Sequence, residues 1–208
     1  MKRVGNGGVW LPDDETDPLM ISGGIQYQSG KFSEVMKYVK NDRVAVDVGA
    51  HCGLWTCQLS KFFQKVECFE PLPRHIECWN KNVGWRSNCS LHQVALGSQT
   101  GECGISVVDG LSGRSHVSEG TDMKMLCLDD FNFKNVDLIK IDVEGYEYFV
   151  IKGGEKTILE SKPAMIVEQK KGFGGRYGVS DKSAVDHLES LGAVVRKELA
   201  GDYILSWQ

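Results

Sequence analysis

Four acidic residues stand where apolar runs break or end. They are Asp47 inside Val44-Ala45-Val46-Asp47-Val48, Glu70 closing Val66-Glu67-Cys68-Phe69-Glu70, Asp142 in Leu138-Ile139-Lys140-Ile141-Asp142-Val143, and Glu168 ending Ala164-Met165-Ile166-Val167-Glu168. A carboxylate in a buried strand is costly unless it is paired or faces a polar cleft, and open α/β sheets bind ligands at the carboxyl ends of their strands. Four acids at that edge predict one site. For Asp142 the competing reading is a structural ion pair with Lys140, two residues away on the same strand face.

Gly49 and Gly53 follow the first run, in Asp47-Val48-Gly49-Ala50-His51-Cys52-Gly53, where a backbone without side chains admits a ligand. His51 lies between glycines four apart, so the dinucleotide fingerprint G-x-G-x-x-G is not met and a pyrophosphate cradle is disfavoured. Glu70 comes 23 residues after Asp47, at the end of the second run, where an acid accepts hydrogen bonds from ribose hydroxyls. A ribose-bearing cofactor without pyrophosphate points to S-adenosylmethionine. Methyl transfer removes positive charge from sulfur, so a catalytic acid belongs on the acceptor side, where a positioned base speeds attack by a neutral hydroxyl about 10² to 10⁴-fold. Asp142, Glu144 and Glu168 are the candidates.

Three other groups have two readings each. His116 is a possible base or a plain polar residue. Lys170, Lys171 and Arg176, interleaved with Phe173 and Tyr177, grip an anionic acceptor or form a solvated loop. Asp129-Asp130 read as helix caps rather than ion ligands. No spacing of His, Cys, Asp and Glu suggests a metal site, and none is expected.

The elements that must hold these residues follow from periodicity. Helices are expected over 30–40, 73–82, 147–160 with Gly153-Gly154 inside or breaking it, and 183–191. Another carries Leu54, Trp55, Leu59, Phe62 and Phe63 on one face. Strands are expected over 44–48, 66–69, 91–96, 136–143, 164–167, 193–196 and 203–207. This alternation predicts a mostly parallel sheet covered by helices on both faces. Residues 97–130 break the beat as a small β insertion. Residues 1–25 read as an irregular N-terminal arm with a turn at Pro12 to Asp14, and residues 26–208 as a single domain.

A length of 208 residues, 41% apolar and 25% charged, suits one globular domain. The formal charge of -4 disfavours nucleic acid or an anionic membrane as the partner. No apolar stretch is long enough for a membrane span, and a cytoplasmic location is expected. The seven cysteines contain no C-x-x-C pair and read as buried hydrophobes in a reducing compartment.

Several blocks together resemble the FkbM family of S-adenosylmethionine-dependent methyltransferases, over about residues 44–168. They are Val44 to Gly53, Cys68-Phe69-Glu70-Pro71, Leu128-Asp129-Asp130-Phe131 and above all Ile139-Lys140-Ile141-Asp142-Val143-Glu144-Gly145-Tyr146-Glu147. Val150-Ile151-Lys152-Gly153-Gly154, Lys162-Pro163 and Ile166-Val167-Glu168 follow at the matching distances. The resemblance implies an α/β, Rossmann-like class I methyltransferase fold, its seven strands ordered 3-2-1-4-5-7-6 with the last antiparallel. It implies methyl transfer to a hydroxyl of a sugar, glycan or small natural product. His51 stands where the family more often has Asn. The expected cofactor-binding set is Asp47, Gly49, Ala50, His51, Gly53, Glu70, Pro71, Ala95 and Asp142. Two other functions are kept: a non-catalytic methyltransferase-like binding protein, which loss of Glu70 or of the Asp142 and Glu144 acids would have favoured, and a nicotinamide-dependent oxidoreductase, opposed by the missing fingerprint.

Overall fold

In the computed structural model, which describes residues 1–5 and 7–208, strands β1 (Lys2–Val4) and β2 (Val9–Leu11) form an antiparallel pair. Gly5, Gly7 and Gly8 between them have positive φ. The expected turn follows, with Glu15 N–H donating to Pro12 O at 3.2 Å. Helix α1 (Pro18–Gly23) is capped by the Asp17 carboxylate, which accepts from Leu19 N–H at 2.7 Å, with Pro18 in the first turn. The expectation of an irregular arm is thus corrected. Strands of three residues are too short to display a period of two, and the structure here comes from glycine turns and a cap.

The chain continues through α2 (Ser29–Met36), β3 (Val44–Val48), α3 (Leu54–Leu59), β4 (Lys65–Phe69), α4 (Pro73–Asn82), β5 (Cys89–His92), β6 (Ala95–Leu96), β7 (Gly101–Ser106), β8 (His116–Leu126) and β9 (Val136–Ile141). It ends with α5 (Glu147–Lys152), α6 (Glu155–Ser161), β10 (Ala164–Glu168), α7 (Ser183–Ser190), β11 (Ala193–Leu199) and β12 (Asp202–Trp207). Seven strands form one sheet in the order β11-β12-β10-β9-β3-β4-β5. Numbered by chain order and read from the other edge, this is 3-2-1-4-5-7-6. β12 runs antiparallel to both neighbours, while β10, β9, β3, β4 and β5 are parallel.

Alternation along the strands divides the core. Val46, Val48, Ile139, Ile141, Met165 and Val167 pack on one face with Val150 and Ile151 of α5, Ile158 of α6 and Leu188 of α7. Ala45, Val66, Cys68, Leu138 and Ile166 pack on the other with Phe32 of α2, Trp55 and Leu59 of α3, and Trp79 of α4. Asp47, Lys140 and Glu168 are in phase with this second set.

The strand expected over 91–96 is divided. β5 is an edge strand whose one neighbour, β4, ends at Phe69, so the pairing stops at His92. Ala95–Leu96 instead pair parallel with β8 in a separate three-stranded sheet, β6-β8-β7. Of the two outcomes expected for 147–160, Gly153-Gly154 break the helix, dividing it into α5 and α6. A side chain at Gly153 would lie 1.9 Å from the Gly97 carbonyl oxygen, so the helix pair is seated against the start of the insertion where only glycine fits.

Candidate active site

The carboxyl ends of β3, β4, β9 and β10 open on a cavity of about 210 Å³. Of the expected cofactor set, Gly49, Ala50, His51, Glu70, Pro71, Ala95 and Asp142 line it, together with the acids Glu144 and Glu168.

Asp47 and Gly53 are corrections, because neither faces the cavity. Asp47 is fully buried. It accepts from the Thr56 hydroxyl at 2.7 Å and pairs with Lys140, its cross-strand neighbour, at 3.4 Å. Lys140 also donates to the carbonyls of Gly49 at 2.7 Å and Val48 at 3.2 Å, so a buried ion pair ties β9 to the mouth of the glycine loop. The pair foreseen between Lys140 and Asp142 is longer, at 3.9 Å. Gly53, at φ 83, is required by packing: a side chain there would meet Val83 at 2.6 Å and Trp79 at 2.8 Å. Gly49 has the same limit, with Asp142 O 2.0 Å from where its side chain would begin.

At one end of the cavity the Glu70 carboxylate accepts from His51 N–H at 2.9 Å, Leu72 N–H at 3.0 Å and His75 Nδ1 at 3.1 Å. It thereby fixes the glycine loop, the start of α4 and one imidazole. A carboxylate has about four acceptor positions, so one remains for a ligand. His75 Nε2 is buried without a partner at the same wall. Val94, Ala95 and Leu96 add an apolar slot beside it. His51 sits at φ 51, a region that favours short polar residues. Burial and the facing His75 ring, 4.1 Å away centre to centre, hold its imidazole well below its ordinary pKa and therefore neutral. Its Nε2 lies 2.8 Å from the Ser112 hydroxyl.

That hydroxyl in turn donates to Glu15. Glu15, wholly buried, also accepts Ser112 N–H at 3.1 Å. Thr16 N–H donates to Gly110 O at 2.8 Å, and Arg74 pairs with Asp14. The N-terminal arm and the β7–β8 connection are thus clasped together over the cavity.

At the other end, oxygens of Asp142, Glu144 and Glu168 lie within 4.8 Å of one another. The three acids expected at this edge thus converge, within reach of one cation, although no spacing in the sequence suggested a ligand set. Strand β9 stops at Ile141, so Glu144 does not reach the cluster by strand alternation; it does so through a turn at φ 58 followed by Gly145 at φ 110. Glu147, not Glu144, serves the local backbone, accepting from Val143 N–H at 3.1 Å and Gly145 N–H at 2.9 Å. Burial and the Asp142 charge push Glu144 up to about 7 and Glu168 up to about 10. Burial opposes the Asp142 charge as well, but the ammonium groups of Lys140 and Lys170 outweigh it and hold its pKa below the usual carboxylate value. At neutral pH the set therefore contains a charged Asp142, a protonated Glu168 and a titrating Glu144.

The Gly-rich loop after β10 is mostly structural. Arg176 donates to the Glu144 carbonyl at 3.1 Å and stacks on Phe173, and Tyr177 donates to Val117 O at 2.8 Å. Of this group only Lys170 lines the cavity. His116 lines it from the insertion side, with Nδ1 3.0 Å from the Arg114 carbonyl. Asp129 accepts from Thr157 N–H and Lys156 N–H at the start of α6, and Asp130 from Cys127 N–H, so both act as caps. Tyr27 was missed by the sequence reading. Its ring lines the cavity, and burial with the nearby charges of Asp142 and Asp17 keeps its hydroxyl protonated. No helix among the described residues is long and apolar enough to cross a membrane.

Residues 47–195 match the family model described as the methyltransferase FkbM domain. The 2-O-methyltransferase NoeI of Sinorhizobium fredii is 27% identical over 150 residues, 59% of this chain and 62% of that protein; the chain thus matches about three fifths of the relative's length. Among solved structures, methyltransferase FkbM from Methylobacillus flagellatus KT is similar with a TM-score of 0.50 at 16% identity, over 94% of this chain and 56% of that one. Precorrin-6y C5,15-methyltransferase from Geobacter metallireducens GS-15 is similar with a TM-score of 0.56 at 15% identity, over 96% and 98%. These structural likenesses concern the Rossmann-like fold. With well over half its length matched, the chain belongs to the FkbM methyltransferase domain family, whose cofactor is S-adenosylmethionine.

Proposed function

We propose that this chain transfers a methyl group from S-adenosylmethionine to a hydroxyl oxygen of a sugar, glycan or other small polyol. The observation that carries the reading is a single cavity with two chemically distinct ends: Glu70 with its remaining acceptor position and the apolar slot at one, the acids Asp142, Glu144 and Glu168 at the other. The cofactor, when bound, supplies a methyl group made electrophilic by its sulfonium. Glu70 would hold the ribose, Val94, Ala95 and Leu96 the flat base, and Asp142 the ammonium group of the amino-acid end. That the related NoeI is a 2-O-methyltransferase supports oxygen as the acceptor atom.

Of the three acids, Glu144 suits the task of base. A general base works best with a pKa near the working pH, and Glu144 titrates at about 7. Glu168, at about 10, is an acid at that pH, and Asp142, held ionised, is too weak a base. Glu144 takes the proton of the acceptor hydroxyl, Tyr27 and Glu168 offer neutral hydrogen-bond donors at the same wall, and the clasp of arm and insertion covers one side of the cleft.

Calorimetry with S-adenosylhomocysteine and with NAD separates this reading from the oxidoreductase and from a partner-binding fold. The parent chain should bind the first and not the second. Hydrogen bonds to a charged group contribute about 1.5–3 kcal/mol, so Glu70→Ala should weaken S-adenosylhomocysteine binding by about ten- to a hundred-fold. Because Glu70 also anchors His51, Leu72 and His75, a modest drop in melting temperature should accompany it. Unchanged affinity in the variant would remove Glu70 from the cofactor site.

A further inference from the structure

The three carboxylates converge closely enough for one cation to touch them all. Oε2 of Glu144 and Oε2 of Glu168 are buried without a hydrogen-bond partner, and the side chains are only 7% and 3% exposed. At neutral pH the ionised Asp142 and the partly ionised Glu144 repel one another, and Glu168 keeps its proton for want of a sufficient counter-charge, so a cation among them is favoured. Lys140 is not available for the whole set, since Asp47 and two backbone carbonyls already engage it. Arg176 donates to the Glu144 carbonyl and not to its carboxylate. Lys170 does reach the set, with Nζ 2.8 Å from Glu168 and 3.4 Å from Glu144. It comes from the open side of the cleft, its own side chain 41% exposed, while both partners are inside.

We propose that Lys170 is the resident counter-cation of Asp142, Glu144 and Glu168, a positioning residue that draws Glu144 and Glu168 together at the acceptor end and fills the place where a divalent metal ion would otherwise be held. Its benefit to turnover rests on Glu144 being the base. Its occupancy of the carboxylate set does not, and that is what the test reads.

Three oxygen ligands from two backbone segments, the turn after β9 and the end of β10, are the usual start of a site for a hard cation, with water completing the shell. An ammonium among them excludes such an ion by charge and by volume. Removing the ammonium while keeping the acids should therefore turn the cleft into a divalent-ion site.

Mn²⁺ is the probe, added to the full chain without cofactor or acceptor, with the free ion followed by its electron paramagnetic resonance signal. K170A should hold Mn²⁺ at least about ten-fold more tightly than the parent. K170R should bind it as weakly as the parent, and E144Q/K170A should lose the gain. K170Q, which keeps the bulk of the side chain without its charge, should gain affinity in the same way and serves if K170A does not fold. A parent chain that binds Mn²⁺ as tightly as K170A overturns the proposal, as does a K170A or K170Q variant, folded by circular dichroism, that binds no Mn²⁺. Because no turnover is measured, a wrong assignment of the base leaves this result untouched.

Discussion

Glu144→Gln is expected to lower kcat by about 10² or more while leaving S-adenosylhomocysteine affinity within about two-fold, since Glu70 and the apolar slot are untouched. The amide keeps the shape of the side chain and cannot take a proton. The parent should also show a pH signature. Burial and the Asp142 charge place the Glu144 carboxyl at about 7, and a base acts only when deprotonated. In the parent, kcat/KM should thus fall about ten-fold per pH unit below that value and level off above it, and the variant should lack this limb. Near-normal turnover in Glu144→Gln would move the base to Glu168 or His116. A capping role for Glu144 would predict lost stability instead, but the backbone groups in question already bond to Glu147.

The second large effect concerns stability. Asp47→Ala removes one member of a buried pair and leaves the Lys140 ammonium, itself 5% exposed, without its carboxylate. Breaking such a pair costs about 3–5 kcal/mol, and the Thr56 hydroxyl loses its acceptor as well. Equilibrium denaturation should read this as a lower midpoint. Replacing both partners by apolar residues, as in D47L/K140M, should be milder than D47A alone, because no uncompensated charge is left inside. If D47A is as stable as the parent, the pair has no part in joining β3 to β9.

Glu70, Asp142 and Glu168 were legible as cavity-lining residues because a carboxylate ending an apolar strand must meet either a partner charge or a polar cleft, and the strand ends share one edge. That logic overreached at Asp47, and the reading of glycines as ligand contacts overreached at Gly53. Inward-facing and cavity-facing positions look alike in sequence, and only the third dimension separates Thr56 and Trp79 from a ligand. Glu144 was named beside Asp142, but a left-handed turn brings its side chain to the cluster, and no periodicity encodes such a turn. Tyr27 and Lys170 lie in short irregular segments, so their convergence on the acids depends on how the arm and the loop after β10 cross the sheet edge. The strand order followed from the resemblance to a family, since alternation of strands and helices gives direction but not neighbourhood.

The clasp between residues 14–16 and 110–112 has a consequence for the hierarchy of local stability. These segments bond chiefly to each other and to the glycine loop, outside the ladders of the seven-stranded sheet. In hydrogen exchange the amides of Thr16 and Ser112 should therefore open together, as one cooperative unit well below the global unfolding energy of β3 and β9. A ligand lying beneath them would slow that opening at both amides at once, so that the roof of the cavity behaves as a single hinged body and not as two loops.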